Sequence, residues 1–140
     1  MSVYLDASIL VSLFIIDSQS ARADRLLRSG PGAIVVSDFA AAEFAAVVGR
    51  KTRTGDLDAD ERDAVFADFD IWTRQTARIA ETTANDIATA ISFLRRRDLT
   101  LRAPDAINIA LSLRLGTVLA TFDERMARDA RAVGANTAVV

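Results

Sequence analysis

A chain of 140 residues, 51% of them hydrophobic and with a formal net charge of −2, is the right size for one domain (residues 1–140) with a full core, and too apolar to be disordered. It holds no cysteine, which excludes disulfides, zinc–thiolate sites and iron–sulfur clusters, and no histidine, which excludes a Ser-His-Asp triad and histidine-based phosphotransfer. The longest apolar run, residues 7–16, falls short of the ~20 residues a bilayer span needs and has no basic residue before it, so a soluble, cytoplasmic protein without a membrane role is expected.

Short apolar runs alternate with longer helical patterns, the signature of a parallel α/β fold. Ser2–Leu5 reads as a strand, followed by a helix from about Ala7 to Ile16 and a second from about Ser20 to Arg28, stopped by Ser29-Gly30-Pro31-Gly32. Ala33–Val36 is the next strand. Ser37 caps a helix from about Asp38 to Arg53, which Gly55 stops, and Asp58 caps another reaching about Thr76. Within the latter, Val65, Phe66, Phe69 and Trp72 recur at helical spacing and read as core or dimer packing rather than as a base-stacking platform. Arg78–Glu81 reads as a short strand. Thr83 with Asp86 forms a capping box opening a helix to about Arg97, and Pro104 suits the first turn of a helix ending near Gly116. Thr117–Thr121 is a strand, Glu124–Val133 a helix and Thr137–Val140 a last strand. The expected fold class is α/β, with four or five short parallel strands covered on both faces.

Four acids sit where an acid is awkward. Asp6 ends SVYL, Glu43 interrupts DFAAAEFAAVV, Asp105 follows Pro104, and Asp123 ends TVLATF. Each has an ordinary explanation: Asp6 and Asp123 can cap the helices that follow them, and Asp105 suits the positive end of a helix dipole. Glu43 resists this treatment, since its helix has no other polar residue between positions 39 and 48. A buried carboxylate costs several kcal/mol, on the order of a broken ion pair, unless a positive charge compensates it. With imidazole and thiolate missing, the fitting compensator is a hard divalent cation, Mg2+ or Mn2+, held by oxygen. In open parallel sheets, ligands bind beyond the carboxyl ends of the strands where strand order reverses. Asp6 and Asp123 follow strands directly, and Glu43 and Asp105 lie in early turns of helices, so all four are expected at one edge of the sheet.

Other chemistry finds little support. Ser8 and Ser12 have no base to activate them. Gly30-Pro31-Gly32 is a turn, and no GxGxxG or Walker sequence occurs. The net charge of −2 argues against a general nucleic-acid binder, but two divalent ions would bring it to +2. Lys51 is the only lysine, and arginine is the better phosphate clamp. Arg95-Arg96-Arg97 reads as a solvated helix end, with an RNA backbone contact alongside Arg102 as the other reading.

These residues resemble a PIN domain, and within that family the small VapC-like toxin ribonucleases of bacterial toxin–antitoxin pairs. The likeness rests on YLDAS, on Glu43 in AAEF, on APDAINIALS around Asp105 and on TFDERMARDAR around Asp123, covering residues 4 to about 131. It implies a three-layer α/β/α fold and an Mg2+- or Mn2+-dependent endoribonuclease in which Asp6, Glu43, Asp105 and Asp123 bind metal and carry the catalysis. It also implies that Ser8 and Thr121 orient carboxylates or water, as would Asn108, which stands where many relatives have histidine. RNA as substrate, a VapB-like antitoxin and a homodimer follow from the same resemblance. A catalytically inactive RNA- or protein-binding module and a metal-dependent nuclease in RNA processing are the alternatives.

Overall fold

Val3, Tyr4 and Leu5 form the central strand β1 (Val3–Leu5), and all three are buried. Successive strand side chains point to opposite faces, so an unbroken apolar triplet requires cover on both sides. Val3 and Leu5 enter one core with Ile9, Leu10, Val36 and Phe44, while Tyr4 enters a second with Val35, Ile109, Leu111 and Leu119.

The computed structural model describes residues 1–30, 32–138 and 140. Among them, β1, β2 (Ile34–Ser37), β3 (Ala77–Ala80), β4 (Val118–Ala120) and β5 (Asn136–Thr137) make one sheet in the order β3-β2-β1-β4-β5. Every pairing is parallel, with Val3 opposite both Ile34 and Val118. The chain steps outward from β1 through β2 to β3, then returns to the other side of β1 as β4. The reversal therefore lies between β1 and β4.

On one face, α1 (Ala7–Phe14), α2 (Ser20–Arg28), α3 (Asp38–Arg53) and α4 (Ala59–Thr76) enclose the first core. Its centre is aromatic: Phe44 stacks on Phe69 with ring centroids 4.4 Å apart, and Phe14 meets Phe69 and Trp72 edge-on, each at 5.4 Å. The run of aromatic residues in α4 is thus core packing. The second core is closed by α6 (Ala103–Leu115) and α7 (Glu124–Ala132), and α5 (Ala84–Leu94) packs on α6 through Ala90, Ala106 and Ala110. The fold is three-layered α/β with a five-stranded parallel sheet, as expected.

The starts of α3, α4 and α5 agree with the sequence because each has a side-chain cap: Ser37 accepts from Ala40 N–H, Asp58 from Glu61 N–H and Thr83 from Asp86 N–H. Two helix ends come two or three residues earlier than expected, and α7 ends one residue early at Ala132. α1 stops at Phe14, not Ile16, because Ile15 turns extended (φ −124°) and Ile16 is thrown into solvent, 96% exposed. α5 stops at Leu94 rather than Arg97, and Arg96 folds onto Asp98 at 2.6 Å instead of continuing a helix of adjacent cations. The last strand begins one residue early and is two residues long; Val139, in its expected extension, lies outside the described residues, as does Pro31 in the turn after α2. None of the described helices is long and apolar enough to cross a membrane.

Candidate active site

Asp6 is the first residue beyond β1 and caps α1, accepting from Ile9 N–H at 3.2 Å. Only 6% exposed, it is held from both sides. Ser8 Oγ donates to Oδ1 at 2.6 Å and Thr121 Oγ1 to Oδ2 at 2.5 Å. Thr121 follows β4, so this contact ties the two strands that flank the reversal. Ser8 reaches across too, accepting from Phe122 N–H at 3.0 Å. Burial pushes the Asp6 carboxyl above its ordinary value, against the pull of Ser8, Thr121 and the Ile9 amide.

Asp123 caps α7 through Met126 N–H at 3.0 Å, and its own N–H donates to Thr121 Oγ1 at 3.1 Å. One hydroxyl thereby couples the two strand-end acids. Asp105, in the first turn of α6, accepts from Arg102 N–H at 3.0 Å.

Glu43 projects from α3, whose Ala42, Ala45 and Ala46 are exposed while Phe44 and Val48 face the core. Its Oε1 accepts from Asn108 Nδ2 at 2.7 Å. Burial raises the Glu43 pKa, the Asn108 amide opposes the rise, and the negative fields of Asp6 and Asp105 add to it. These three acids are thus electrostatic neighbours delivered by β1, α3 and α6.

Behind Glu43 lies a buried polar chain. Asn108 Nδ2 also donates to Pro104 O at 3.0 Å, so with two acceptors on the amide nitrogen, Oδ1 must face Tyr4. Tyr4 Oη donates to that Oδ1 at 2.5 Å and lies 2.6 Å from Ser37 Oγ. Having only one hydrogen, Tyr4 spends it on Asn108, and Ser37 donates to Tyr4. Burial raises the Tyr4 pKa, the Ser37 contact counters it, and Glu43, Asp6 and Asp38 push it further up. Neither Tyr4 nor Ser37 was among the expected site residues. Tyr4 looked like one more apolar strand residue, and Ser37 like a helix cap only.

The donor set suits a hard divalent cation: it is all oxygen, negative and partly buried. Among the described residues, hydrogen bonds engage only one oxygen each of Glu43, Asp105 and Asp123, leaving the other without a partner. No group of three or more of these acids converges into a ready cage among the described residues. The fit is therefore to an ion that keeps several of its waters, as magnesium does, rather than to one held wholly by protein.

The crystal structure of Mycobacterium tuberculosis VapC20, described as a sarcin–ricin loop cleaving toxin, superposes with a TM-score of 0.74 at 22% identity, covering 97% of this chain and 98% of that one. FitAcB from Neisseria gonorrhoeae gives 0.70 at 16% identity, covering 97% and 96%. VapBC2 from Rickettsia felis, bound to a DNA fragment from its promoter, gives 0.68 at 16% identity, covering 91% and 92%. At these identities the likeness establishes the fold. No curated protein matches the sequence. The sequence does match the PIN domain over residues 3–132, nearly its whole length, and the chain belongs to the PIN domain family.

Proposed function

We propose that the protein is a Mg2+- or Mn2+-dependent endoribonuclease that serves as the toxin of a toxin–antitoxin pair. PIN domains are typically metal-dependent nucleases. The observation that carries the reading is the gathering of acids at the strand reversal: Asp6 is buried there between Ser8 and Thr121, and the pKa of Glu43, raised first by burial, is raised further by the negative fields of Asp6 and Asp105. Such a cluster is stable in its charged form only with a cation beside it.

Asp6 and Asp105 would hold the ion directly, with Asp123 completing the set. A bound divalent ion supplies Lewis-acid stabilisation of phosphate charge and eases deprotonation of a water. Glu43, its Oε1 fixed by Asn108, has Oε2 left to orient that water and take its proton, a role for which a raised carboxyl value is apt. Ser8 and Thr121 hold the Asp6 carboxylate in place. In this reading the protein works in the cytoplasm, forms a homodimer, and is silenced by a VapB-like antitoxin.

The test is cleavage of total cellular RNA with Mg2+ or Mn2+, comparing wild type, Asp6→Asn and an EDTA control. Discrete fragments from wild type alone are expected, and fragments that persist in the variant overturn the assignment. The open spacing of the acids favours one alternative, an inactive RNA- or protein-binding module. That reading requires RNA to be left intact under every metal condition.

A further inference from the structure

The motif around Asp123 carries more than its acid. In ERMARDAR, Arg125, Arg128 and Arg131 recur every third residue of α7, and all three are exposed. Residues three apart on a helix are neighbours on its surface, rising about 4.5 Å at each step. Arg22 of α2 joins them across a groove of ≈960 Å3 whose walls also include Thr121 and Asp123 of the acidic site.

The arginines are held in place, and of the four only Arg128 is paired with an acid among the described residues. Arg131 donates to Thr137 Oγ1 at 2.9 Å, and Arg128 to Thr100 Oγ1 at 3.1 Å while meeting Asp129 at 3.3 Å. Arg22 lies over the Phe122 ring at 5.1 Å and donates to Gln19 Oε1 and Val140 O. Arg125 makes no salt bridge among the described residues. The described lining sets Asp123 and Glu124 against these four cations, and Asp129 offsets one of them, so cations still outnumber acids there by one on a chain whose net charge is −2. A basic channel that opens directly on an acidic hydrolytic centre suits a polyanion continuing out of that centre.

We infer that this groove between α2 and α7 is a track for the phosphate backbone of single-stranded RNA on one side of the scissile bond. The inference rests on the ribonuclease reading and names where its substrate lies. Guanidinium forks match phosphate oxygens two at a time. The track reads charge rather than base, so sequence preference must come from elsewhere.

The experiment measures binding of fluorescein-labelled single-stranded RNA by anisotropy with Mg2+ present, in the Asp6→Asn background that keeps the strand whole. Arg125→Ala with Arg131→Ala is compared with Arg62→Ala with Arg74→Ala, which removes equal charge from α4. The groove variant should bind on the order of tenfold more weakly at low salt, with a log K against log salt slope shallower by about 1.4, since each single-strand phosphate contact contributes about 0.7. Equal effects from both pairs, no effect from the groove pair with unchanged circular dichroism melting, or equally effective displacement by polyglutamate each overturn the track. Binding with the expected slope but no cleavage by wild-type protein keeps the track and removes the ribonuclease. Cleavage with unaltered binding in the groove variant does the reverse.

Discussion

One hydrogen atom sets the direction of the buried chain that ends on Glu43. Because Tyr4 donates to Asn108 Oδ1, the amide must turn its Nδ2 toward Glu43 and Pro104. Tyr4→Phe removes that hydrogen without changing the ring. It leaves a buried carbonyl oxygen and the Ser37 hydroxyl short of a partner, costing about 1–3 kcal/mol. Loss of amide orientation should lower cleavage by about 10–100-fold, the usual effect of removing a group that orients a metal-site residue. Thermal melting and turnover of the same RNA check both, and full activity in the variant would separate Tyr4 from the site. The acids were legible in the sequence because each broke an apolar pattern. Tyr4 was not, since its ring satisfies the apolar pattern and only its hydroxyl joins the polar chain. Asn108 stood out through the family likeness, but its partners, Tyr4 four residues from the start and Glu43 on another helix, required the fold.

At the level of elements, α5 and α6 are joined by one ion pair as well as by their alanines. Arg114 Nε meets Asp86 Oδ1 at 2.7 Å, with the Asp86 side chain 1% exposed, and Asp86 also accepts from Thr83 N–H to cap α5. Burial alone would raise the Asp86 pKa, yet the Arg114 and Thr83 hydrogen bonds hold it below the ordinary carboxylate value. The pair therefore stabilises the fold above the unfolded value of about 3.9, and that contribution is lost as pH falls through the lower folded value. Arg114→Met strands a buried carboxylate and should cost about 3 kcal/mol at pH 7. The deficit should shrink near pH 4, where Asp86 in the variant is largely protonated; urea denaturation at the two pH values measures it, and an equal deficit at both would refute the account. Helices with a side-chain cap were read to the residue at their starts. Two ends, at Ile16 and Arg97, were read late where no glycine or proline stood immediately after the helix to mark the stop.

Across the whole molecule, the fold collects charge that the unfolded chain keeps apart. Asp6 and Glu43 have raised values, so they favour folding below the ordinary carboxylate range and oppose it as pH climbs through the folded values. A cation removes that opposition. Mn2+ at ten times its dissociation constant should add about 1.4 kcal/mol, or about 5 °C in Tm for a chain of this size. The same titration should leave Asp6→Asn unmoved, and a shift equal to wild type would place the ion elsewhere. Strand existence was readable locally, but strand order was not, because nothing in a run of valines says which neighbour it takes. The net charge of −2 likewise concealed the row of arginines on α7, which only the fold segregates from the acids. The brevity of β1 and β4, three residues each, also bears on descent by insertion and deletion. One codon added inside either strand swaps the two faces for every side chain beyond it, sending Tyr4 or Leu119 into the wrong core. The turn around Gly55, exposed and open around its α-carbon, carries no such penalty. Length can drift between α3 and α4, while the two strands that deliver Asp6 and Thr121 are held to a reading frame of structure as strict as that of the gene.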